Sequence, residues 1–485
     1  APAALAGRVE EAIRGVQGLA LPPLERAAHA GSMRPLSFAQ ERLWFLDQLT
    51  PGDTSYTIPL GMQLGGMVDT AALALALGEV LRRHEALRTV FEAVDGKPVQ
   101  IIHPPSPVPL PFTSLTSLPE GERYEAARRL STEESNRPFD LARGPLFRAR
   151  LIELDEGLHL LLLTMHHIVS DGWSLGVLQR ELSVIYEAFR KDEPSPLAEL
   201  PVQYADYAAW QRRWLSGEAL EQQLGYWREA LRGAPQALDL PADRPRPAIP
   251  SYRGGRRAFS LSPEVSQALF SLAQRENVTL FMLLLAAFDL LLHRYTGQDD
   301  IVVGSPIAGR TNAATEGLIG FFVNTLVLRA RFAEEASFSR LLAEVRESCL
   351  GAYAHQDVPF ERLVAELAPE RDTSRTPLFQ VMFLLQNALK ENVAREGASP
   401  TAGARRGVTV ESGTTKFDLT LIMIEGRKTI AGAFEYALDL FDAATADRMV
   451  GHFQTLLEGI AQAPGVPVGD LPLLPPAEHE LLADP

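Results

Sequence analysis

The stretch LHLLLLTMHHIVSDGWS, residues 158–174, constrains the fold more than any other part of the chain. Its apolar start reads as a buried strand. Two histidines, His166 and His167, end that run, and Asp171 and Gly172 follow. From Trp173 the spacing changes. Leu175, Leu178, Leu182, Ile185 and Phe189 recur at intervals of three and four, which predicts a helix with one apolar stripe. A strand that runs straight into a helix points to an α/β protein.

The same alternation fills both halves of the chain. SFAQERLWFLDQL predicts a helix capped by Ser37, with Leu43, Leu46 and Leu49 at helical spacing. DTAALALALGEVLRRHEALRTVF predicts a helix that runs into an extended segment, and PVQIIHP a short strand. FRARLIEL is expected to pair with LHLLLLTMHH around the acidic turn DEG, and YADYAAWQRRWL to form a helix. Downstream, SPEVSQALFSLAQREN, TLFMLLLAAFDLLLHRYTG and ATADRMVGHFQTLLEGIAQAP predict helices. DDIVVGSPI, GFFVNTLVLRARF, LFQVMFLLQN, FDLTLIMIEG and IAGAFEYAL predict strands. Between the halves lie residues 233–257, dense in Pro, Gly and Arg, which read as a connection. The aperiodic residues 391–407 read as an exposed loop. A length of 485 residues exceeds what one core ordinarily serves, so two α/β lobes of similar size are expected, over 36–232 and 258–468.

Composition removes several function classes. A net charge of −15 argues against nucleic acid as a partner, because phosphate binding needs a basic surface. A single cysteine, Cys349, rules out an internal disulfide and a cysteine-based zinc site. No apolar run is long enough to predict a membrane span, and residues 1–18 lack the pattern of a secretory signal, so a cytoplasmic protein is expected.

Strand geometry sends His166 and His167 to opposite faces, so they are not expected to act as an adjacent pair. A neutral imidazole suits a general base near neutral pH, and the N-terminus of the following helix favours it over the imidazolium. Asp171 fits either of two roles, a helix cap or the partner of an arginine. A metal site is not expected, since the histidines lack helical i, i+4 spacing and any cysteine partner. GSPIAGRT, residues 304–311, nearly copies a phosphate-binding loop, but Arg310 stands where lysine belongs and Pro306 removes a needed N–H. YRGGRR, residues 252–257, reads as a solvated turn.

MHHIVSDGWS resembles the H-H-x-x-x-D-G signature of nonribosomal peptide synthetase condensation domains, and the resemblance continues through six further motifs in order. LSFAQERLWFLDQL (36–49) and RHEALRTVF (83–91) are similar to the first two. YADYAAW (204–210) and IGFFVNTLVLR (319–329) are similar to the fourth and fifth. HQDVPFERLV (355–364) and RDTSRTPLFQVMF (371–383) are similar to the last two. The nearest class joins an L-configured donor to an L-configured acceptor. Residues 1–20 resemble the last helix of an upstream carrier domain, with 21–35 as a linker, and 469–485 resemble a linker toward a downstream adenylation domain.

The resemblance implies an α/β pseudo-dimer of two chloramphenicol acetyltransferase-like lobes in a V shape, with an active-site tunnel between them. It implies an acyltransferase of secondary metabolism, such as antibiotic or siderophore synthesis, that is monomeric when excised. The domain itself would bind no cofactor. Phosphopantetheine arms would come from an upstream donor carrier and a downstream acceptor carrier. His167 would be catalytic, positioning the amine and taking its proton or stabilising the tetrahedral intermediate. His166 would be structural. Asp171 would form an ion pair that shapes the site, with Arg310 as the first choice of partner and Arg83 and Arg88 as alternatives. Gly172 would keep the turn narrow beside the substrate, and Ser170, Trp173 and Asn324 would line the tunnel. Two related readings stand beside this one: a domain that modifies a carrier-bound residue, and a domain that only docks carriers or tailoring enzymes.

Overall fold

A computed structural model describes residues 22–26, 33–333, 335–367, 372, 374–387, 404–408 and 413–483, so the helix expected over 1–20 lies outside the described residues. The first part of the chain forms β1 (Met33–Pro35), α1 (Phe38–Leu49), β2 (Thr57–Gly65), α2 (Thr70–Arg83), β3 (Thr89–Val94), β4 (Lys97–Ile102), β5 (Phe112–Ser114), α3 (Glu120–Ser135), β6 (Phe147–Asp155), β7 (Leu158–His166), α4 (Gly172–Phe189), α5 (Tyr204–Trp214) and α6 (Gly217–Ala230). The remainder forms β8 (Gly254–Ser260), α7 (Pro263–Arg275), α8 (Leu280–Thr296), β9 (Asp300–Ile307), β10 (Asn324–Arg331), α9 (Phe338–Ala354), α10 (Phe360–Leu367), β11 (Val381–Asn387), β12 (Ala404–Val408), β13 (Leu419–Glu425), β14 (Ile430–Ala437), α11 (Ala443–Gln462) and α12 (Pro476–Ala483).

The chain divides into two compact α/β units that are not contiguous in sequence. Unit 1 takes Ala1–Ala219, Ala308–Val323 and Leu389–Ser412, and unit 2 takes Leu220–Ile307, Asn324–Ala388 and Gly413–Pro485. The residues expected to connect two lobes, 233–257, therefore fall within unit 2.

Unit 1 is built on a five-stranded sheet of order β12-β2-β7-β6-β5, with a smaller sheet of order β1-β4-β3. β7 lies between β2 and β6, antiparallel to both, and eight of its nine residues are buried. Its period of two sorts them. Leu161, Leu163 and Met165 enter a core shared with α2 and α4, while Leu160 and Leu162 pack with Ala126 and Ala127 of α3. Both faces are covered, which is why the sequence shows an unbroken apolar run rather than an alternating one. β6 and β7 form the expected hairpin, turning at Gly157, whose φ of +71° suits glycine.

Unit 2 is built on a six-stranded mixed sheet of order β10-β9-β11-β13-β14-β8. α8 runs through its core, with every residue from Met282 to Leu292 buried.

Three expectations are corrected. YRGGRR is not a turn: Gly254–Arg257 begin β8, an edge strand paired with β14. Gly255 sits opposite Tyr436, and a Cβ there would run into the tyrosine ring, so glycine is required by packing. Within 391–407, the loop reading fails at its end, because Ala404–Val408 pair with β2. GFFVNTLVLRARF is a strand only from Asn324; the residues before it belong to unit 1 and have no strand partner among the described residues. β2 itself carries no clear strand signal, because TIPLGMQLG breaks the pattern with a proline and two glycines.

Candidate active site

β7 ends at His166, and His167 opens a short 3₁₀ turn, His167–Val169, that leads to α4. Buried His166 accepts the Ile168 N–H at Nδ1, 3.1 Å, which places its proton on Nε2. Half-buried His167 does the reverse. Its Nδ1–H donates to the Ser170 carbonyl at 2.9 Å, so in the neutral ring the lone pair sits at Nε2. The Phe321 ring meets His167 edge-on with centroids 4.9 Å apart. From the far side of the turn, Gln40 Nε2 donates to the Ile168 carbonyl at 3.2 Å. Gln40 is itself fixed at N3 of α1, where it closes a capping box with Ser37.

Asp171 is a cap and an ion-pair partner at once. It is fully buried, and its Oδ1 accepts the Ser174 N–H at 2.8 Å as N-cap of α4. The same carboxylate meets Arg310 Nη2 at 3.2 Å, Ser174 Oγ at 2.7 Å and, through Oδ2, the Phe322 N–H at 2.9 Å. Arg310 also donates to the carbonyls of Thr315 and Leu318, and its guanidinium lies 4.0 Å over the Phe322 ring. Burial lowers the Arg310 pKa, and the charge and hydrogen bond of Asp171 oppose that shift. All of these groups belong to unit 1, because the segment 308–323 does.

The other two arginines lie elsewhere. Arg83 makes a buried bidentate pair with Glu181 at 3.0 and 3.2 Å. His84 Nε2 donates to the same glutamate at 2.9 Å and accepts the Ile319 N–H at Nδ1, 3.2 Å. Burial alone would raise Glu181, but the hydrogen bonds from His84 and Arg83 outweigh it and bring its pKa down to about 2. Burial lowers His84 against the pull of that carboxylate. Arg88 donates to the Leu81 and His103 carbonyls and lies 3.6 Å from Glu85.

The remaining candidates scatter. Ser170 is fully buried, and its Oγ has no hydrogen-bond partner among the described residues. Trp173 is exposed and donates its indole N–H to the Glu316 carbonyl at 2.9 Å. A Cβ on Gly172 would meet no atom within 4 Å, so packing within the fold does not demand glycine there. Asn324 is in unit 2 and wholly engaged: Nδ2 donates to the Gln356 and Val358 carbonyls, and Oδ1 accepts the Thr325 and Phe360 N–H groups. Gly304 of the near-miss loop lies inside β9, where a Cβ would strike the Phe379 ring, so its spacing reflects sheet packing. Among the described residues no group of three or more His, Cys, Asp or Glu could hold a metal ion, and no single helix is long and apolar enough to cross a membrane.

Three residues of this region lie within the quoted motifs but receive no role from them. Ser174 bridges Asp171, Arg310 and the Gly320 backbone. Tyr204 donates to the Phe321 carbonyl at 2.5 Å and receives the Ser37 hydroxyl at 2.8 Å. Gly320 must lack a side chain, since a Cβ would enter the Tyr204 ring. Their partners are distant side chains and backbone groups, which spacing in the sequence does not reveal.

A condensation-domain model matches residues 31–483, and the chain belongs to the condensation-domain family of nonribosomal peptide synthetases. It is 50% identical over 470 residues to a linear gramicidin synthase of Brevibacillus parabrevis, a match that takes in 96% of this chain and 9% of that protein. The chain thus spans under a tenth of the length of that relative. Among solved structures, the X-domain from teicoplanin biosynthesis superposes with a TM-score of 0.83 at 32% identity, over 93% of this chain and 100% of that one. The first condensation domain of the calcium-dependent antibiotic synthetase superposes with a TM-score of 0.77 over 91% of this chain and 100% of that one; at 24% identity the likeness is one of fold. The chain thus has the chloramphenicol acetyltransferase-like fold of this family.

Proposed function

We propose that this chain forms a peptide bond between two carrier-bound substrates. The α-amine of an aminoacyl group on an acceptor carrier attacks the thioester carbonyl of an aminoacyl or peptidyl group on a donor carrier. The C–N bond forms, the C–S bond breaks, and the donor arm leaves as its thiol while the amine gives up a proton. Both groups arrive on phosphopantetheine arms that belong to the carriers, and the domain adds no cofactor of its own. Its partners in this reading are an upstream carrier and a downstream adenylation domain and carrier, in the cytoplasm.

One observation carries the reading: the Nδ1–H of His167 is committed to the Ser170 carbonyl, so the basic lone pair is at Nε2. A ring held in that tautomer can receive a hydrogen bond or a proton from an attacking amine. A thioester is already a reactive acyl donor, so holding the amine in line supplies much of the acceleration. The open space at Gly172 is where an arm can pass without meeting a side chain.

The test is a transfer assay with an aminoacyl donor carrier and an aminoacyl acceptor carrier, read by intact-protein mass spectrometry. The dipeptide mass on the acceptor is expected with the native domain. With His167→Ala the domain should keep its melting temperature and lose transfer by about 10²- to 10⁴-fold, the range for a positioned acid–base group. A fully active His167→Ala domain would refute the role.

The likeness to the X-domain supports a second reading. A further solved structure shows that domain in complex with OxyB and superposes here with a TM-score of 0.83. A domain that binds both carriers, transfers nothing with any substrate pair and does not respond to His167→Ala would be a docking platform instead.

A further inference from the structure

We propose that Ser174 is a positioning residue for His167, acting through the peptide that joins Ser170 to Asp171; this rests on the role given to His167 above. Ser174 is fully buried in the first turn of α4. Its hydroxyl has four polar neighbours. It lies 2.7 Å from Asp171 Oδ1 and 2.9 Å from the Gly320 carbonyl, both acceptors. It receives Arg310 Nη2 at 2.9 Å and the Gly320 N–H at 3.1 Å. A hydroxyl has one proton and two lone pairs, so it serves one of the two acceptors at a time. The shorter distance and the charge favour the carboxylate. Ser174 thereby joins the Asp171 carboxylate, the Arg310 guanidinium and the backbone of segment 308–323 at one oxygen.

The link to His167 is covalent geometry. The Ser170 carbonyl that holds His167 Nδ1–H shares a planar peptide with the Asp171 nitrogen. Whatever fixes Asp171 therefore fixes the oxygen that selects the tautomer of His167. A loosened Asp171 swings that carbonyl away, and the imidazole loses its reason to keep the proton on Nδ1. In the other tautomer the lone pair faces the turn, where an attacking amine gains nothing from it. Ser174 does this without touching the ring, since its own bonds run to Asp171, Arg310 and Gly320.

The experiment is ¹⁵N NMR of the histidine-labelled domain, with the His167 signals assigned from their loss in His167→Gln. The native domain is expected to show His167 protonated at Nδ1 alone when neutral. Ser174→Ala is expected to show both tautomers, and to lower the transfer rate about 10- to 100-fold with KM for the two carriers nearly unchanged. Ser174→Thr, which keeps the hydroxyl, is expected to restore the single tautomer and most of the rate. Should Ser174→Ala fail to fold, Ser174→Cys, which fills the site but hydrogen-bonds weakly, is read in the same way. An unchanged His167 tautomer in the folded Ser174→Ala or Ser174→Cys domain overturns the inference, whatever the rate. The NMR readout needs no turnover, so a native domain inactive in transfer would overturn the proposed reaction and leave the link between Ser174 and His167 standing.

Discussion

Asp171 holds two positions that are usually separate, and one substitution separates them. Asparagine caps a helix about as well as aspartate. If Asp171 did no more than cap α4, Asp171→Asn would cost well under about 1 kcal/mol. The buried Arg310 changes the sum. With the carboxylate gone, the guanidinium keeps its charge in a site closed to water, and the new amide presents N–H groups to donors from Arg310 or Phe322. Breaking a buried pair in this way costs about 3–5 kcal/mol, so urea denaturation of Asp171→Asn should show a loss of that size, or no soluble domain at all. A loss below about 1 kcal/mol would mean that the ion pair does not hold the site. The capping half of this role could be read from the chain, because aspartate just before an apolar-periodic stretch is a helix-start pattern. The pairing with Arg310 came from family resemblance, since nothing in spacing brings together residues 139 positions apart. The role of Ser174 is legible by neither route: its partners are the Asp171 carboxylate, the distant Arg310 guanidinium and the Gly320 backbone, and a serine in a first helical turn looks ordinary.

Segment 308–323 shows what holds an element that has almost no regular structure of its own. It contains one 3₁₀ turn, Ala313–Thr315, yet it is pinned at intervals along its length. Trp173 holds the Glu316 carbonyl, His84 the Ile319 N–H, Ser174 the Gly320 backbone, Tyr204 the Phe321 carbonyl and Asp171 the Phe322 N–H. Gly320 is the point of least tolerance. Tyr204 presses against it and cannot easily retreat, being buried and hydrogen-bonded at its hydroxyl to Ser37 and Phe321. Gly320→Ala should cost about 1–3 kcal/mol by overpacking. Tyr204→Leu gives the methyl room, so the double variant should lose less than the two single losses added together, measured in a denaturation cycle. Strict additivity would show that the backbone, not the ring, yields. This element could not be delimited from sequence. GFFV adjoins a true strand and shares its apolar character, so the periodic pattern ran on past the point where pairing stops. β2 escapes the sequence pattern for the opposite reason. Pro59 and two glycines disguise a strand whose partners on β7 are strongly apolar.

At the scale of the whole molecule, the alternation of strands and helices made two α/β lobes legible, whereas the return of 308–323 and 389–412 to unit 1 was not, because chain neighbours read as spatial neighbours. Particular buried groups of the two units answer acid with opposite signs. In unit 1, Glu181 falls from an ordinary 4.5 to about 2 and His84 falls below its ordinary 6.5. Both groups bind fewer protons folded than unfolded, so their contribution is fully present above the unfolded values. It is lost as pH drops, first below 6.5 through His84 and then from 4.5 toward 2 through Glu181. In unit 2, Asp289 sits inside the core helix α8, and burial raises its pKa well above 3.8. Here the folded state binds the extra proton, so the contribution is present at low pH and lost as pH rises toward the folded value. Asp289→Asn supplies a neutral side chain of the same shape. It should raise stability at pH 8 by native-state hydrogen exchange in α8, taken as protection factors so that intrinsic exchange rates cancel. That gain should shrink as the pH is lowered toward the ordinary 3.8 of Asp289, while protection around His84 and Glu181 declines in native domain and variant alike. A gain in α8 that does not depend on pH would show that Asp289 is ionised in the core or that its charge is compensated there. In that case the raised pKa of Asp289 would be wrong.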